Sequence, residues 1–157
     1  MRLILSTLFL FFLIPIKSFA RHDFGAGIVI GDPTGLTAKY VVSKENAADA
    51  ALSFGNGDNF YLHVSWLWLK QRVFDLDKFP VTWYLGLGPR VIGRDHDHHH
   101  DDEHEDDVHL AARVPFGLRM HFNDPRIEIY TEIAPALDVV PEMDFDLDFG
   151  IGARFYF

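Results

Sequence analysis

The chain of 157 residues contains no cysteine, which excludes disulfide bonds, thiolate nucleophiles and cysteine metal ligands. Basic residues are also few: 14 Lys and Arg stand against 23 Asp and Glu, for a formal net charge of −9. Because phosphate binding needs clustered Lys and Arg, we expect no nucleic-acid partner. No segment shows a helical hydrophobic period, and the pattern found instead is strict alternation.

The N-terminal segment has the features of a secretory signal. Arg2 precedes an apolar run over residues 3–16, which is shorter than the roughly 20 residues that a membrane helix needs. The segment ends in Ser18-Phe19-Ala20, a small-x-small pattern typical of signal peptidase sites. We therefore predict a cleaved signal peptide over residues 1–20 and one domain over residues 21–157. The alternative is an uncleaved N-terminal anchor.

The last segment shows the alternation most clearly. Between Met143 and Phe157 the odd positions are apolar and the even positions are mostly charged or glycine. A strand sends successive side chains to opposite faces, so this pattern predicts a strand with one apolar face. Seven further segments repeat it, and a longer connection is predicted over residues 70–78. The eight predicted strands cover residues 23–31, 34–42, 47–55, 59–69, 79–93, 108–122, 126–139 and 143–157.

Eight alternating strands suit either a soluble barrel, with its apolar face inside, or a membrane barrel, with that face outside. Strand length, the signal segment and aromatic residues near strand ends favour the membrane barrel. The mixture of acids and bases on the polar face is expected if they pair in a narrow lumen, and a soluble barrel that displays them to water is also physically allowed. The predicted fold is therefore an all-β, eight-stranded antiparallel up-and-down transmembrane β-barrel. The polar face carries Lys39, Asp49, His63, Arg90, Arg113, Arg119, Glu128, Glu132, Asp146, Asp148 and Arg154.

Several stretches resemble those of known proteins. The ending GARFYF, with terminal Phe157, resembles the C-terminal signal that bacterial outer-membrane barrels present to the barrel-assembly machinery. The stretches GAGIVIGDPTGLTAKY, PFGLRMHF and IYTEIAPALDVVP resemble a poorly characterised family of small eight-stranded outer-membrane barrels in Gram-negative bacteria. The resemblance implies an outer-membrane location, with membrane lipid and the assembly machinery as partners. It implies no established activity.

The segment RDHDHHHDDEHEDD, residues 94–107, concentrates five histidines and eight carboxylates. With an even strand number and both termini in the periplasm, this loop between the fifth and sixth strands is predicted to be extracellular. Imidazoles suit Zn, Ni or Cu, but the spacing matches no closed zinc pattern, so the hypothesis is weak binding of a divalent metal. The alternative is a solvated acidic loop that binds no ion. The candidate ligands are His96, His98, His99, His100, His104, Asp97 and Asp101.

A second constellation is His63-Val64-Ser65, in which residues i and i+2 share the inner face of a strand. It resembles the His-x-Ser pair of lipid A deacylases, which are eight-stranded outer-membrane barrels. Trp66 replaces the Asn that usually follows the Ser, and that family's active site faces lipid rather than the lumen. Glu128 or Glu132 could supply the carboxylate of a catalytic triad.

The inner charges have two interpretations, a ligand site or a structural ion-pair core. An eight-stranded barrel is just wide enough to be filled by its own side chains, which favours the structural interpretation. We therefore expect a non-enzymatic outer-membrane barrel with a structural or interaction role and no certain cofactor. The alternative hypothesis is a lipid A-modifying hydrolase that uses His63 and Ser65.

Overall fold

A computed structural model describes residues 23–54, 60–76, 79–94 and 107–157. All regular structure in these residues is β-strand, and they contain no helix long and apolar enough to cross a membrane. The strands are β1 (Phe24–Asp32), β2 (Gly35–Val41), β3 (Asn46–Phe54), β4 (Phe60–Leu76), β5 (Phe79–Arg94), β6 (Asp107–Arg113), β7 (Phe116–Asn123), β8 (Arg126–Val140) and β9 (Asp144–Tyr156).

The strands form one closed antiparallel barrel. Each strand from β1 to β5 pairs with the next along the chain, and β1 also pairs with β9, which pairs with β8. The wall closes because β6 and β7 both lie between β5 and β8. The wall therefore has eight strand positions, and β6 and β7 share one of them. This confirms the predicted eight-stranded up-and-down barrel.

The division between β6 and β7 falls at Pro115, beside Pro135 of the neighbouring strand β8. Arg113 pairs with Ala136 and Phe116 pairs with Ile133, so the register against β8 is the same on both sides of the division. Pro115 has no N–H to donate, but its carbonyl accepts a bond from the Gly86 N–H at 2.7 Å. The Val114 N–H donates to the Pro135 carbonyl at 2.9 Å. Missing donors thus interrupt the hydrogen-bond ladder without changing which side chains face inward.

The predicted connection over residues 70–78 is wrong, because β4 continues to Leu76. Arg72 pairs with Thr82, and Leu76 pairs with Phe79 across the hairpin. The register shifts between Leu69 and Arg72 and again before Phe74, as at a β-bulge. Each bulge puts an extra residue into one strand, which breaks strict alternation and hides the continuing strand from a pattern search.

The barrel has two different rims. At one rim, here called the terminal rim, the Phe157 N–H donates to the Phe24 carbonyl at 2.9 Å and joins the two ends of the domain. At the other, here called the distal rim, Arg94 pairs with Asp107. The two residues that flank the segment 95–106 therefore lie at the distal rim, and the segment itself lies outside the described residues.

The apolar face of the wall points outward. In β9, exposed and buried residues alternate, and Ile151 is 63% exposed whereas Arg154 is 2% exposed. β8 has the same arrangement, with apolar residues outside and charged residues inside: Ile129 and Ile133 are about half exposed and Glu128 is fully buried. The predicted assignment of faces is therefore confirmed along these strands, and the core of the barrel is its charged lumen.

The charged lumen as a candidate functional site

The lumen is built from the inward positions of every wall strand. Two neighbouring groups of side chains fill it, one centred on Glu128 and the other on Arg90 and Arg113. The buried polar residues are Thr37, Lys39, Asp49, His63, Ser65, Arg90, Arg113, Glu128, Glu132, Asp138, Asp148 and Arg154.

Glu128 is surrounded by cations. Both of its carboxylate oxygens accept bonds from Lys39 Nζ, at 3.0 and 3.1 Å. Arg119 Nη1 donates to Oε2 at 3.0 Å, and Arg154 Nη1 donates to Oε1 at 3.1 Å. The Tyr156 hydroxyl adds a fifth bond at 3.2 Å. One carboxylate thus pairs with three cations, and burial strengthens these charge-assisted bonds.

Arg154 extends this group, here called the Glu128 cluster, across the lumen. Its Nη2 donates to Thr37 Oγ1 at 2.7 Å and to Asp49 Oδ2 at 3.0 Å. Its guanidinium lies 4.0 Å from the ring centroid of Tyr130, a cation–π contact. Arg154 therefore joins inner residues of β2, β3 and β8 from its own position on β9.

The second group, here called the Arg113 cluster, begins with Arg90 towards the distal rim. Arg90 Nη1 donates to Asp146 at 2.9 Å and to Asp148 at 2.6 Å, and its Nη2 donates to Asp138 at 2.8 Å. The Asp146 side chain is 48% exposed, whereas the Arg90 side chain is 1% exposed. The cluster therefore runs from the closed interior to solvent.

Arg113 continues the same network inward. Its Nε donates to Asp148 Oδ2 at 2.8 Å, and its Nη2 donates to Glu132 Oε1. Two tyrosines complete these carboxylates, since Tyr61 donates to Asp148 and Tyr84 donates to Glu132, each at 2.6 Å. Asp148 thus bridges Arg90 and Arg113.

The two clusters carry opposite charge biases. Lys39, Arg119 and Arg154 outnumber Glu128 and Asp49 in the first, so that cluster has one excess positive charge. In the second, two guanidinium groups face four carboxylates. The lumen is therefore most negative towards the distal rim.

Inward glycines make room for the tyrosines of this network. A Cβ added at Gly117 would overlap the Tyr84 ring, and one added at Gly152 would overlap the Tyr130 ring. These tyrosines were missing from the candidate residues taken from sequence. Their signal was present, because Tyr61, Tyr84, Tyr130 and Tyr156 occupy the same alternate positions as the charges.

The proposed catalytic residues face the lumen, and Glu132 lines one cavity with His63, but no described hydrogen bond joins a candidate carboxylate to His63 or Ser65. His63 and Ser65 are 4% and 1% exposed, so neither reaches the outer surface. Glu128 is bound by the cations described above, and no contact among the described residues joins it to His63 or Ser65. Glu132, the other candidate carboxylate, pairs with Arg113 and Tyr84. The deacylase alternative stays a prediction, and this geometry does not favour it.

The predicted metal ligands His96, His98, His99, His100, His104, Asp97 and Asp101 lie outside the described residues. Within the described ranges, no group of three or more His, Asp or Glu side chains is arranged to hold a metal ion. His109 Nδ1 lies 3.9 Å from Asp138 Oδ2 near the distal rim, beside the strand end that leads into the loop. The metal hypothesis therefore concerns residues 95–106 alone.

No protein-family model, no curated protein and no solved structure matches the chain.

Proposed function

We propose that the protein is a small, non-enzymatic outer-membrane β-barrel of a Gram-negative bacterium, with a structural or interaction role. The observation that carries the proposal is the inversion of the barrel, with apolar side chains outside and charges inside. A soluble barrel buries its apolar face, because exposing that face to water costs free energy in proportion to its area. Contact with lipid removes that cost. Lipid cannot form hydrogen bonds with backbone N–H and C=O groups, but a closed wall pairs these groups between neighbouring strands.

Strand length supports the same conclusion. β8 has 15 residues and β9 has 13, which exceeds the roughly 9–11 residues that a tilted strand needs to cross a bilayer. Exposed aromatic side chains lie near the terminal rim, as in the interfacial girdles of membrane barrels. They include Phe24, Tyr40, Trp66, Trp68, Phe155 and Phe157.

The filled lumen supports a structural role for the barrel wall. Salt bridges and tyrosine hydroxyls occupy the interior, and an eight-stranded wall leaves little further width. We therefore assign the interaction role to the distal loops. In this proposal the terminal rim faces the periplasm, and the strand ending at Phe157 is recognised by the barrel-assembly machinery during insertion.

Cell fractionation tests the location. We expect the mature protein, starting near Arg21, in the outer-membrane fraction, with faster gel migration before boiling than after it. The reason is that a closed barrel stays folded in detergent until it is heated. A soluble periplasmic product whose mobility does not change on boiling would contradict the proposal.

The proposed function includes weak binding of a divalent metal by the loop at residues 94–107. Its supporting observation is the density of imidazoles and carboxylates in a segment whose two ends meet at the distal rim. Titration calorimetry with zinc, nickel and copper on the intact protein and on a variant lacking residues 95–106 tests it. We expect heat of binding only from the intact chain, and equal heats from both proteins would contradict metal binding by the loop.

A further inference from the structure

A small cavity of about 10 Å³ lies in the lumen, where the two charge clusters meet and beside Asp32 and Pro33 at the turn after β1. Its lining includes His63, Asp49, Arg113, Tyr130 and Glu132. A cavity of roughly 10–15 Å³ holds one water molecule. The cavity thus matches one molecule of that size.

Three buried polar atoms belong to residues that line this cavity and have no hydrogen-bond partner among the described residues. They are His63 Nε2, Asp49 Oδ1 and Arg113 Nη1. The three residues are between 2% and 4% exposed. Leaving a buried polar atom unpaired costs about 1–3 kcal/mol, and more for a charged group, so three of them around one cavity point to a shared partner.

The hydrogen bonds of Tyr61 determine what His63 offers to that partner. The Tyr61 hydroxyl has one proton, and it donates it to Asp148 Oδ2 at 2.6 Å. The contact of 3.2 Å between the same hydroxyl and His63 Nδ1 therefore requires Nδ1 to carry a proton and to donate. In the neutral imidazole Nε2 is then an acceptor.

The unpaired atoms consequently comprise two acceptors, His63 Nε2 and Asp49 Oδ1, and one donor, Arg113 Nη1. We propose that the cavity is a binding site for a single water molecule, which donates to both acceptors and accepts from Arg113. A water molecule has two protons and free lone pairs, so it satisfies all three atoms at once.

The simple ions fit this set of atoms less well. A metal cation would lie beside the Arg113 guanidinium, and the Glu132 carboxylate at the cavity is already bonded to Arg113 and Tyr84. A halide would meet the Asp49 carboxylate and an imidazole lone pair, neither of which can donate to it. The water also joins the two clusters, because Asp49 is bonded to Arg154 and Arg113 is bonded to Asp148.

Crystals of the intact barrel that diffract to high resolution, with a second data set from a bromide soak, test the site. We expect one density peak within about 3.2 Å of all three atoms, without anomalous signal from bromide. No peak, a direct bond between Arg113 Nη1 and Asp49 Oδ1, or a bromide signal in the cavity would each overturn the proposal.

A pair of variants sharpens the test. His63→Phe keeps a ring in place but removes the acceptor, and we expect it to lose the peak or most of its occupancy. Ser65→Ala is the control, since its buried hydroxyl also lacks a described partner but Ser65 does not line the cavity. Retention of the peak at full occupancy in His63→Phe, or its loss in Ser65→Ala, would contradict the assigned partners. If either variant fails to fold, the wild-type crystals still decide the question.

Discussion

The Glu128 cluster and the Arg113 cluster fill the same lumen in different ways. In the first, a single fully buried carboxylate pairs with three cations. In the second, several carboxylates share two arginines, and the Asp146 side chain is 48% exposed. Loss of Glu128 therefore leaves Lys39 and Arg119 without a described carboxylate and leaves Arg154 only Asp49, whereas neighbouring carboxylates or water can compensate in the Arg113 cluster. The two clusters should respond to matched substitutions by different amounts.

The largest effect is expected from Glu128→Gln, because it leaves Lys39, Arg119 and Arg154 without the carboxylate that they share. Removing one partner of a buried ion pair costs about 3–5 kcal/mol. Urea-dependent unfolding in detergent micelles, followed by tryptophan fluorescence, measures the free energy of unfolding. A loss below about 1 kcal/mol, the range of exposed ion pairs, would show that Glu128 does not hold this cluster together.

A smaller loss is expected from Asp148→Asn, the matched change in the Arg113 cluster. The amide keeps the shape and can still accept one bond, while Arg90 and Arg113 keep Asp138 and Glu132 as partners. We expect about 1.5–3 kcal/mol, the range for a hydrogen bond to a charged group. The same urea titration measures it. A loss larger than that of Glu128→Gln would reverse the comparison.

Packing around the tyrosines is tested by Gly117→Ala, whose added methyl would overlap the Tyr84 ring and disturb its bond to Glu132. Overpacking of this kind costs about 1–3 kcal/mol. Gly93→Ala is the control, because its added methyl would lie 3.8 Å from Phe60 Cβ, an ordinary contact. Equal unfolding midpoints for the two variants would contradict the role given to Gly117.

The smallest effect is expected from Asp146→Asn, at the open end of the Arg113 cluster. Water screens this half-exposed carboxylate, and Arg90 keeps two other carboxylates. We expect less than about 1 kcal/mol by the same titration. A loss of unfolding free energy equal to that of Asp148→Asn would mean that the Arg113 cluster does not tolerate the loss of a carboxylate better near the rim than in the interior.

Alternation divided the residues of β8 and β9 into two faces, because a strand has only two faces, and strand length, the signal segment and the aromatic residues predicted which face lines the lumen. It could not predict which inner charges pair, since pairing depends on the register between distant strands; Arg154 and Thr37 are 117 residues apart in sequence. Nor could it find the end of β4, where bulges break the period. The two prolines that lack an N–H donor, Pro115 and Pro135, are visible in the sequence. That β6 and β7 keep the same register against β8 is a property of the closed wall.

The proposed membrane barrel requires the outward apolar face to lie in lipid, and the natural absence of cysteine allows a clean test. A nitroxide attached to Ile151→Cys, on the outer wall, is compared with one attached to Thr34→Cys, an exposed turn position. In refolded vesicles we expect the Ile151 label to collide mainly with oxygen and the Thr34 label mainly with a water-soluble nickel reagent. Equal access of the nickel reagent to both labels would contradict a barrel that presents its apolar face to lipid.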